Sequence, residues 1–407
     1  MSRRIVVTGL GLVTPIGTGR DEVWRGFLEG RCGFAPVESF DTGRHSVHFG
    51  AEVRGFQPEP YIRRLDSSRI GRASRLAIAA ARMALEDAGL DPEGLEPERS
   101  GVAMGTTSGE PLEVERFDDL LLGGATDRIG PELATIYPCH TIASHVAREL
   151  DLAGVNVMIP TACAAGNYAV AWAHDALKAG RADVMLAGGA DAFSRITYTG
   201  FARLGAIAPD VCRPFDRNRK GMIPGEGAGV LVLEPLERAL ARGARIYAEI
   251  AGYGLSCDAH HMTAAHPDGD GPARAMERAL ADAGLRPEDV SYVSAHGTGT
   301  PTNDKLETLA VRRVFGSSTR VPVSSVKSMI GHTMGAASAI ESAVCALAIQ
   351  TGFIPPTMNF SEPDPECALD CVPNEARELK VEVAMNNAYA FGGNNASVIL
   401  RRCEEAA

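Results

Sequence analysis

The chain has 407 residues, of which 45% are apolar and 22% charged, a composition typical of globular proteins with a sizeable core. The formal net charge of −11 argues against nucleic-acid binding, which needs a basic surface. The nine cysteines are scattered and odd in number, so neither a disulfide framework nor a tetrahedral zinc site is expected. No apolar run approaches the roughly 18–20 residues of a transmembrane helix, and the N-terminus does not resemble a signal peptide. We therefore expect a cytoplasmic protein without a membrane span or a bound metal.

Short apolar runs rich in β-branched residues predict strands that alternate with helices along the chain. This alternation favours a mixed sheet covered by helices on both faces. The predicted strands are Ile5–Gly9, Gly101–Thr106, Val155–Ile159, Val184–Ala187, Gly229–Leu233, Ala248–Gly252, Val321–Ser325 and Ser397–Leu400. Helices are predicted at Tyr168–Ala179 and Ala336–Gln350, among others.

An internal repeat divides the chain. Residues 84–93 and 279–288 are identical at eight of ten positions. Each copy ends an amphipathic helix, stops at a glycine followed by a proline, and leads into a strand with a small-residue loop. We therefore predict two similar α/β halves, residues 1–250 and 251–407, packed as one catalytic unit.

Cys163 lies between a predicted strand and a predicted helix made of small residues. At a helix N-terminus, unpaired N–H groups and the positive end of the helix dipole favour the thiolate. Ala162, Ala164 and Gly166 leave room for a substrate. This context predicts a nucleophile, and the alternative is a buried core cysteine.

Two histidines occupy loops of small residues. His296 follows a predicted strand, where it is suited to proton transfer or oxyanion stabilisation, unless the backbone satisfies its ring. Thr298 and Thr300 offer hydroxyls to a ligand amide. His332 opens a second small-residue helix. One cysteine with two histidines suits thioester exchange and carbanion chemistry better than proteolysis, which needs one histidine and an orienting carboxylate or carboxamide.

Two charged residues flank His332 in the sequence, and an aromatic residue stands in a further motif near the C-terminus. Lys327 precedes His332 and Glu341 follows it. A buried Lys–Glu pair would be costly unless its geometry served a purpose, whereas a solvated pair is worth about 0–1 kcal/mol. Phe391 stands before Gly392 and Gly393, which indicates a hinge-bearing loop, unless the ring belongs to the core.

These motifs, in this order, resemble those of the elongating (type I/II) β-ketoacyl-acyl-carrier-protein synthases of the thiolase superfamily, including type II polyketide ketosynthase subunits. The resemblance covers nearly the whole chain. It is strongest at Thr161-Ala162-Cys163, at His296-Gly297-Thr298-Gly299-Thr300, at Gly331-His332 between Lys327 and Glu341, and at Phe391-Gly392-Gly393. It implies a duplicated five-layer αβαβα thiolase fold and a decarboxylative Claisen condensation.

The resemblance also implies catalytic roles. Cys163 would carry the acyl group as a thioester, and His296 and His332 would assist loss of CO2 and stabilise the enolate. Lys327 and Glu341 would orient His332. The N–H groups of Cys163 and Phe391 would form the oxyanion hole.

The substrate contacts implied by the resemblance lie around the same loops. No cofactor would be bound, because the substrate arrives on the phosphopantetheine arm of acyl carrier protein. The arm would contact Thr298 and Thr300, a gate would combine Tyr389, Ala390, Phe391, Gly392 and Gly393 with a facing loop that carries Asp258 and His261, and Ser108 would line the acyl pocket. The family usually has Gly at Ala390, Thr at Asn394 and Gly at Ser338.

The implied partners are acyl carrier protein and a second subunit, either another copy or a chain-length-factor-like paralogue. The acidic carrier protein would dock on arginines, for which the candidates are Arg63, Arg64, Arg69, Arg72, Arg128 and Arg203. The pathway is either fatty-acid or type II polyketide or polyene biosynthesis, and the altered gate favours the latter. Alternatives are a degradative thiolase or a priming synthase, which the two histidines oppose, a non-elongating acyltransferase, and an inactive interaction subunit, which Cys163 opposes.

Overall fold

The computed structural model describes residues 3–404. The strands are β1 (Ile5–Thr14), β2 (Gly17–Thr18), β3 (Ala35–Pro36), β4 (Phe49–Gly50), β5 (Ser100–Gly105), β6 (Asn156–Ile159), β7 (Val184–Asp191), β8 (Gly227–Pro235), β9 (Ala248–Cys257), β10 (Tyr292–Ser294), β11 (Val323–Ser324), β12 (Phe353–Ile354), β13 (Arg377–Glu378), β14 (Val383–Tyr389) and β15 (Asn394–Arg401). The helices are α1 (Arg20–Leu28), α2 (Arg72–Asp87), α3 (Pro111–Leu122), α4 (Glu132–Ile136), α5 (Thr141–Leu150), α6 (Ala165–Lys178), α7 (Arg195–Arg203), α8 (Leu236–Ala241), α9 (Asp270–Ala283), α10 (Pro301–Phe315), α11 (Lys327–Ile330) and α12 (Ala337–Thr351).

The main sheet repeats one five-strand pattern twice. Its strand order is β11-β10-β14-β15-β9-β1-β8-β7-β5-β6, so each half contributes one run of five strands. In both runs the three outer strands are parallel and the two inner ones antiparallel. The runs join where Ile5–Val7 of β1 pairs antiparallel with Ala248–Ile250 of β9. The predicted mixed sheet with helices on both faces is confirmed. The predicted division at residue 250 falls inside β9.

Two central helices form the middle of the molecule. α6 and α12 pack against each other and against strands of both halves, whereas α2 and α9 cover the outer faces of the two runs. Ala337–Ile349 of α12 is buried throughout, as expected for a helix surrounded by protein. α6 begins shortly after Cys163, and α12 begins shortly after His332. This central layer therefore positions the site.

The repeated helices end as predicted. α2 and α9 are each followed by a glycine in the left-handed region, Gly89 with φ 66° and Gly284 with φ 64°. This conformation is easily adopted only without a side chain.

The segment Met334–Thr351 is long and apolar enough to cross a membrane by length and composition, contrary to the expectation from the sequence. It is 89% buried inside the fold.

Candidate active site

Cys163 lies in a strained turn. β6 ends at Ile159, a 3-10 turn covers residues 162–164 (the Cys163 turn), and α6 begins at Ala165. Ala162 has φ 50°, a left-handed conformation that is costly for a residue with a Cβ. The turn thus places the thiol, 7% exposed, directly before the first turn of α6.

Burial dominates the electrostatics of this thiol. It raises the pKa of Cys163 to about 12, whereas the nearby Lys327 lowers that pKa and Asp191 raises it further. This direction is opposite to the thiolate that the helix N-terminus leads us to expect. The thiol therefore needs a base within reach when it reacts.

Two neutral imidazoles lie within that reach. The sulfur of Cys163, one ring nitrogen of His296 and one ring nitrogen of His332 all lie within 4.8 Å of one another, and all three residues are buried. Burial, followed by the charge of Lys327, lowers the pKa of both histidines well below its usual value. Each imidazole can therefore accept a proton or donate a hydrogen bond in its neutral form.

The tautomer of His332 follows from its backbone contact. The Met334 N–H donates to His332 Nδ1 at 3.2 Å, so Nδ1 is the acceptor and the ring proton is on Nε2. The rings of His296 and His332 are nearly perpendicular, with centroids 5.5 Å apart. His332 therefore has an N–H available to polarise a carbonyl oxygen.

Lys327 and Glu341 form a buried ion pair, with side chains 0% and 1% exposed. This settles the alternative of a solvated pair. Burial raises the pKa of Glu341 to about 7 against the opposing effect of Lys327. Burying two charges is costly, so the pair calls for a role, and its charge reaches the site: after burial itself, the Lys327 ammonium is the next cause that lowers the pKa of both imidazoles.

Three buried carboxylates that the sequence reasoning did not assign to roles hold the loops of the site. Glu307 accepts the N–H groups of His296 and Gly297 at 2.8 and 2.7 Å. Asp304 accepts the N–H groups of Phe215 and Gly299 at 2.8 and 3.1 Å. These contacts fix the loop on which the first histidine stands.

Asp191 is the third carboxylate. It accepts the N–H groups of Thr107, Ser108 and Gly335 at 2.8, 2.9 and 2.7 Å, and the hydroxyl of Thr106 at 2.8 Å. Gly335 belongs to the 3-10 turn of residues 334–336 (the Met334 turn) that follows His332. The sequence signal that could have indicated this role is that Asp191 ends an apolar strand, two residues after the pair Gly188 and Gly189.

One cavity of about 230 Å³ gathers most of the predicted residues. Thr298 and Thr300 lie at its wall with their hydroxyl oxygens 2.9 Å apart. The predicted residues that line it are Cys163, Asp258, His296, Thr298, Thr300, His332, Tyr389, Ala390, Phe391, Gly392 and Gly393.

Two predicted substrate contacts are not among the residues that line this cavity. The hydroxyl of Ser108 lies 3.2 Å from that of Thr197. His261 is exposed, and its Nδ1 accepts the N–H groups of Thr263 and Ala264 at 3.1 Å each. Its ring is engaged with its own loop, and residues 263–265 line the cavity instead.

The predicted gate consists of two interlocked loops. The Gly392 N–H donates to Met262 O and the Asp258 N–H donates to Gly393 O, both at 2.9 Å. Phe391 is 41% exposed, and its ring lies 5.8 Å from that of Phe201. Gly392 and Gly393 have φ 83° and 77°, which requires glycine.

Ala390, where the family usually has glycine, fits the gate without strain. Its backbone is extended, with φ −123° and ψ 154°. The substitution therefore adds a methyl group to the cavity wall without distorting the loop.

The predicted docking arginines differ in their surroundings. Arg72 makes a two-pronged pair with the buried Glu226 at 2.7 and 2.8 Å, so its guanidinium group is engaged within the fold. Arg63 and Arg64 are exposed and pair with Glu86 and Asp151. Of the six predicted arginines, Arg69, Arg128 and Arg203 are exposed and make no ion pair within residues 3–404.

The cysteine and two histidines also form the one cluster within the described residues whose spacing would suit a metal ion. Cysteine and histidine are zinc ligands, and three such ligands resemble a catalytic zinc site. The ammonium of Lys327, however, acts on all three side chains and repels a cation. The charge therefore favours an organic substrate in this position.

The comparisons with known proteins agree on one family. Residues 2–239 match the β-ketoacyl synthase N-terminal domain and residues 247–361 match the C-terminal domain. The chain is 40% identical to the 3-oxoacyl-[acyl-carrier-protein] synthase 2 of Synechocystis sp., covering 98% of each. It is 44% identical to nodulation protein E of Rhizobium sp. (strain N33), covering 99% of this chain and 100% of that protein.

Solved structures give the same result. The ishigamide ketosynthase/chain length factor matches with a TM-score of 0.96 at 46% identity, covering 99% of this chain and 100% of that one. A type II polyketide ketosynthase solved with its acyl carrier protein and a bound hexaketide matches with a TM-score of 0.90 at 34% identity, with the same coverage.

Proposed function

The chain belongs to the β-ketoacyl synthase family, and we propose that Cys163 is the residue on which it holds the acyl group for condensation. The reaction joins this acyl group to malonyl-acyl carrier protein, releases CO2 and gives a β-ketoacyl-acyl carrier protein. The observation that supports the assignment is the closeness of the thiol to two neutral imidazoles in one cavity. An inactive interaction subunit would not need this arrangement.

The first half-reaction transfers the acyl group. The Cys163 sulfur attacks the carbonyl carbon of the incoming thioester while an imidazole takes the thiol proton. The C–S bond to phosphopantetheine breaks, and the departing thiolate receives the proton. The pKa of Cys163, raised by burial, makes this step depend on the imidazoles.

The second half-reaction forms the carbon–carbon bond. Malonyl carrier protein enters, its carboxylate leaves as CO2, and the electron pair of the broken bond forms an enolate. In the neutral form that their lowered pKa favours, the imidazoles of His296 and His332 each keep one N–H group, and these N–H groups stabilise the enolate oxygen. The enolate carbon then attacks the acyl carbonyl, the C–S bond to Cys163 breaks, and the departing thiolate takes one proton from water, so that the condensation consumes one proton overall.

Backbone groups complete the proposed site. The N–H groups of Cys163 and Phe391 form the oxyanion hole, where one donor is worth about 3–4 kcal/mol in other acyl transferases. The hydroxyls of Thr298 and Thr300 bind the amides of the phosphopantetheine arm. Phe391 closes the cavity until an acyl chain displaces it, with Asp258 on the facing loop.

Carrier protein docks on an arginine surface wider than the sequence suggested. Arg69 lines a depression of about 520 Å³ together with Arg116 and Arg148, which the sequence reasoning missed. Arg116 and Arg128 line the adjoining depression. We define Arg69, Arg116, Arg128 and Arg148 as the basic surface. It attracts acidic carrier proteins although the whole chain carries −11.

Salt tests the docking proposal. Arg116→Glu should raise the KM for acyl carrier protein about tenfold at low salt and weaken the salt dependence of KM. The matched control is Arg320→Glu, which changes an exposed arginine in the second half. Equal KM values for the two variants would overturn this surface.

A second subunit fits the free edge of the sheet. β6 pairs only with β5 within the described residues, and Val157, Met158 and Ile159 are half-buried there. An apolar strand edge is a template for further pairing. We assign this edge to a homodimer or to a heterodimer with a chain-length-factor-like paralogue. Light scattering of the chain alone distinguishes the two, since a monomer points to the paralogue.

Among the two pathways we favour a type II polyketide or polyene assembly over fatty-acid elongation. The 46% identity to the ishigamide ketosynthase/chain length factor and the altered residue Ala390 support this choice. Incubation with a panel of acyl carrier proteins plus malonyl carrier protein, followed by mass spectrometry, identifies the products. Products limited to saturated fatty-acyl chains would contradict the polyketide assignment, and no product with any partner would contradict the condensation itself.

A further inference from the structure

A buried polar network connects the nucleophile helix to the second half. Its members are Asn167 on α6, Ser338 and Ser342 on α12, and Asn386 on β14, all 0% exposed. Asn386 Nδ2 contacts Asn167 Oδ1 and Ser342 Oγ at 2.9 Å and the backbone oxygen of Ser338 at 2.8 Å. Ser342 Oγ donates to Asn167 Oδ1 at 3.1 Å, and Asn167 Nδ2 donates to Asn386 O at 3.1 Å.

Ser338 also caps the nucleophile helix. The Asn167 N–H is in the first turn of α6, where backbone donors have no partner within the helix, and it donates to Ser338 Oγ at 3.1 Å. The family usually has glycine at this position, and glycine provides no hydroxyl. A side chain of the second half therefore satisfies the helix that begins directly after Cys163.

The network joins three elements that adjoin the reacting groups or the gate. α6 follows Cys163, α12 follows His332 and carries Glu341 beside Ser342, and β14 ends at Tyr389 next to the gate. Apolar side chains would fill the same space without burying polar groups. They would also lack the directional demand of hydrogen bonds, which resist sliding of one helix along the other.

We propose that Asn167, Ser338, Ser342 and Asn386 are positioning residues that hold the Cys163 turn in register with the catalytic histidines. This inference rests on the proposed function of Cys163. Catalysis is sensitive to such register, since a misplacement of about 1 Å can cost 100-fold in rate.

Ser338→Ala tests the proposal, with Ser397→Ala as the matched control. Ser397 is also 0% exposed, and its hydroxyl donates to Asn387 Oδ1 at 2.7 Å on the opposite face of β14. Both variants lose one buried hydroxyl and should lose similar thermal stability. Only Ser338→Ala should lower kcat about 5–10-fold with KM changed less than twofold.

A chemical readout separates this proposal from the condensation itself. The rate of Cys163 alkylation by iodoacetamide should fall at least threefold in Ser338→Ala and in Ser342→Ala, and stay within 1.5-fold in Ser397→Ala. Equal kcat and alkylation rates in all three variants would overturn the proposal. If the unaltered protein is alkylated but forms no product with any carrier protein, the proposed function fails while the alkylation comparison still decides the role of the network.

Discussion

The two turns that begin the central helices have similar backbones and different chemistry. Ala162 has φ 50° before α6, and Met334 has φ 55° before α12. Each strained residue stands at a 3-10 turn that leads into a helix of the central layer. In the first half the turn presents the thiol of Cys163.

In the second half the turn orients a base. Its N–H groups contact His332 Nδ1 and the carboxylate of Asp191. Only this half inserts the short helix α11, which carries Lys327. The comparison indicates that the duplicated fold supplies the geometry, and that a few residues on each copy decide which one reacts and which one assists.

The largest effect is expected when the imidazole beside the second turn is removed. His332→Ala should lower condensation about 10²–10⁴-fold, since a group that stabilises the enolate is lost. Acylation of Cys163 should fall less, because His296 remains as a base. Single-turnover acylation and steady-state condensation separate the two, and His145→Ala, at a buried histidine bonded to Ser74 in the first half, is the control. Equal losses in both half-reactions would contradict the division of roles.

The next effect concerns α11. Lys327→Ala leaves Glu341 buried without its cation, which should cost roughly 3–5 kcal/mol of unfolding free energy. Lys305→Ala breaks a solvent-exposed pair with Glu366 and should leave the free energy of unfolding almost unchanged. Urea unfolding measures both. Because Lys327 lowers the pKa of both histidines, the surviving activity of Lys327→Ala should have its acidic limb at higher pH. Similar stability losses for the two lysines would contradict the buried pair.

A smaller effect distinguishes the starts of the repeated helices. Glu110 is buried and accepts the N–H groups of Ala73 and Ser74 in α2 at 3.0 and 2.7 Å, whereas Asp270 at the start of α9 is half-buried and pairs with Arg313. Burial raises the pKa of Glu110 from 4.5 to about 7. The folded state therefore binds the extra proton, and stability is lost as pH rises from about 4.5 to 7.

Replacing Glu110 by glutamine should remove this pH dependence. Roughly 3 kcal/mol of unfolding free energy separates pH 4.5 from pH 8 for this group, from about 1.36 kcal/mol per pKa unit. Asp270→Asn should leave the decline between these pH values in place, since its pKa is lowered by Arg313. Urea unfolding at pH 5 and pH 8 checks both variants, and an unchanged decline in Glu110→Gln would exclude Glu110 as its source.

The smallest effect compares the strained residues themselves. Ala162→Gly should stabilise the protein by up to about 1 kcal/mol, since glycine tolerates a positive φ. Met334→Gly should give no gain, because the buried Met334 side chain is lost at the same time. Thermal unfolding of the two variants measures the difference, and a gain in both would contradict it.

The sequence predicted the elements of the site better than their limits and supports. Cys163, His296 and His332 stand in small-residue motifs, which are visible without a structure. The pattern predicts that β1 ends at Gly9, whereas the strand continues to Thr14. The glycines serve close packing inside the strand: a Cβ at Gly9 or Gly11 would lie 2.1 or 1.8 Å from Ala84 O or Ala80 O of α2. A glycine that looks like the end of a strand in the sequence can therefore mark a place where a helix packs closely against the strand.

The supporting carboxylates were missed for a different reason. Asp191 accepts backbone N–H groups that lie 83 to 144 residues away in sequence. Glu307 accepts N–H groups only 10 and 11 residues before it, but it does so from the next helix, and no short motif has this spacing. The hydroxyl of Ser108 contacts the hydroxyl of Thr197, and the ring of His261 contacts the backbone of its own loop. A sequence motif does not reveal such contacts. Tertiary contacts of this kind need coordinates.

The most direct test of the central claim is the site of acylation. The protein is incubated with acyl-acyl carrier protein, digested and analysed by mass spectrometry, with Cys163→Ala alongside. The account predicts one acyl group per chain, located on the peptide that contains Cys163 and absent from the variant. An acyl group that persists in Cys163→Ala, or that maps to one of the other eight cysteines, would contradict it.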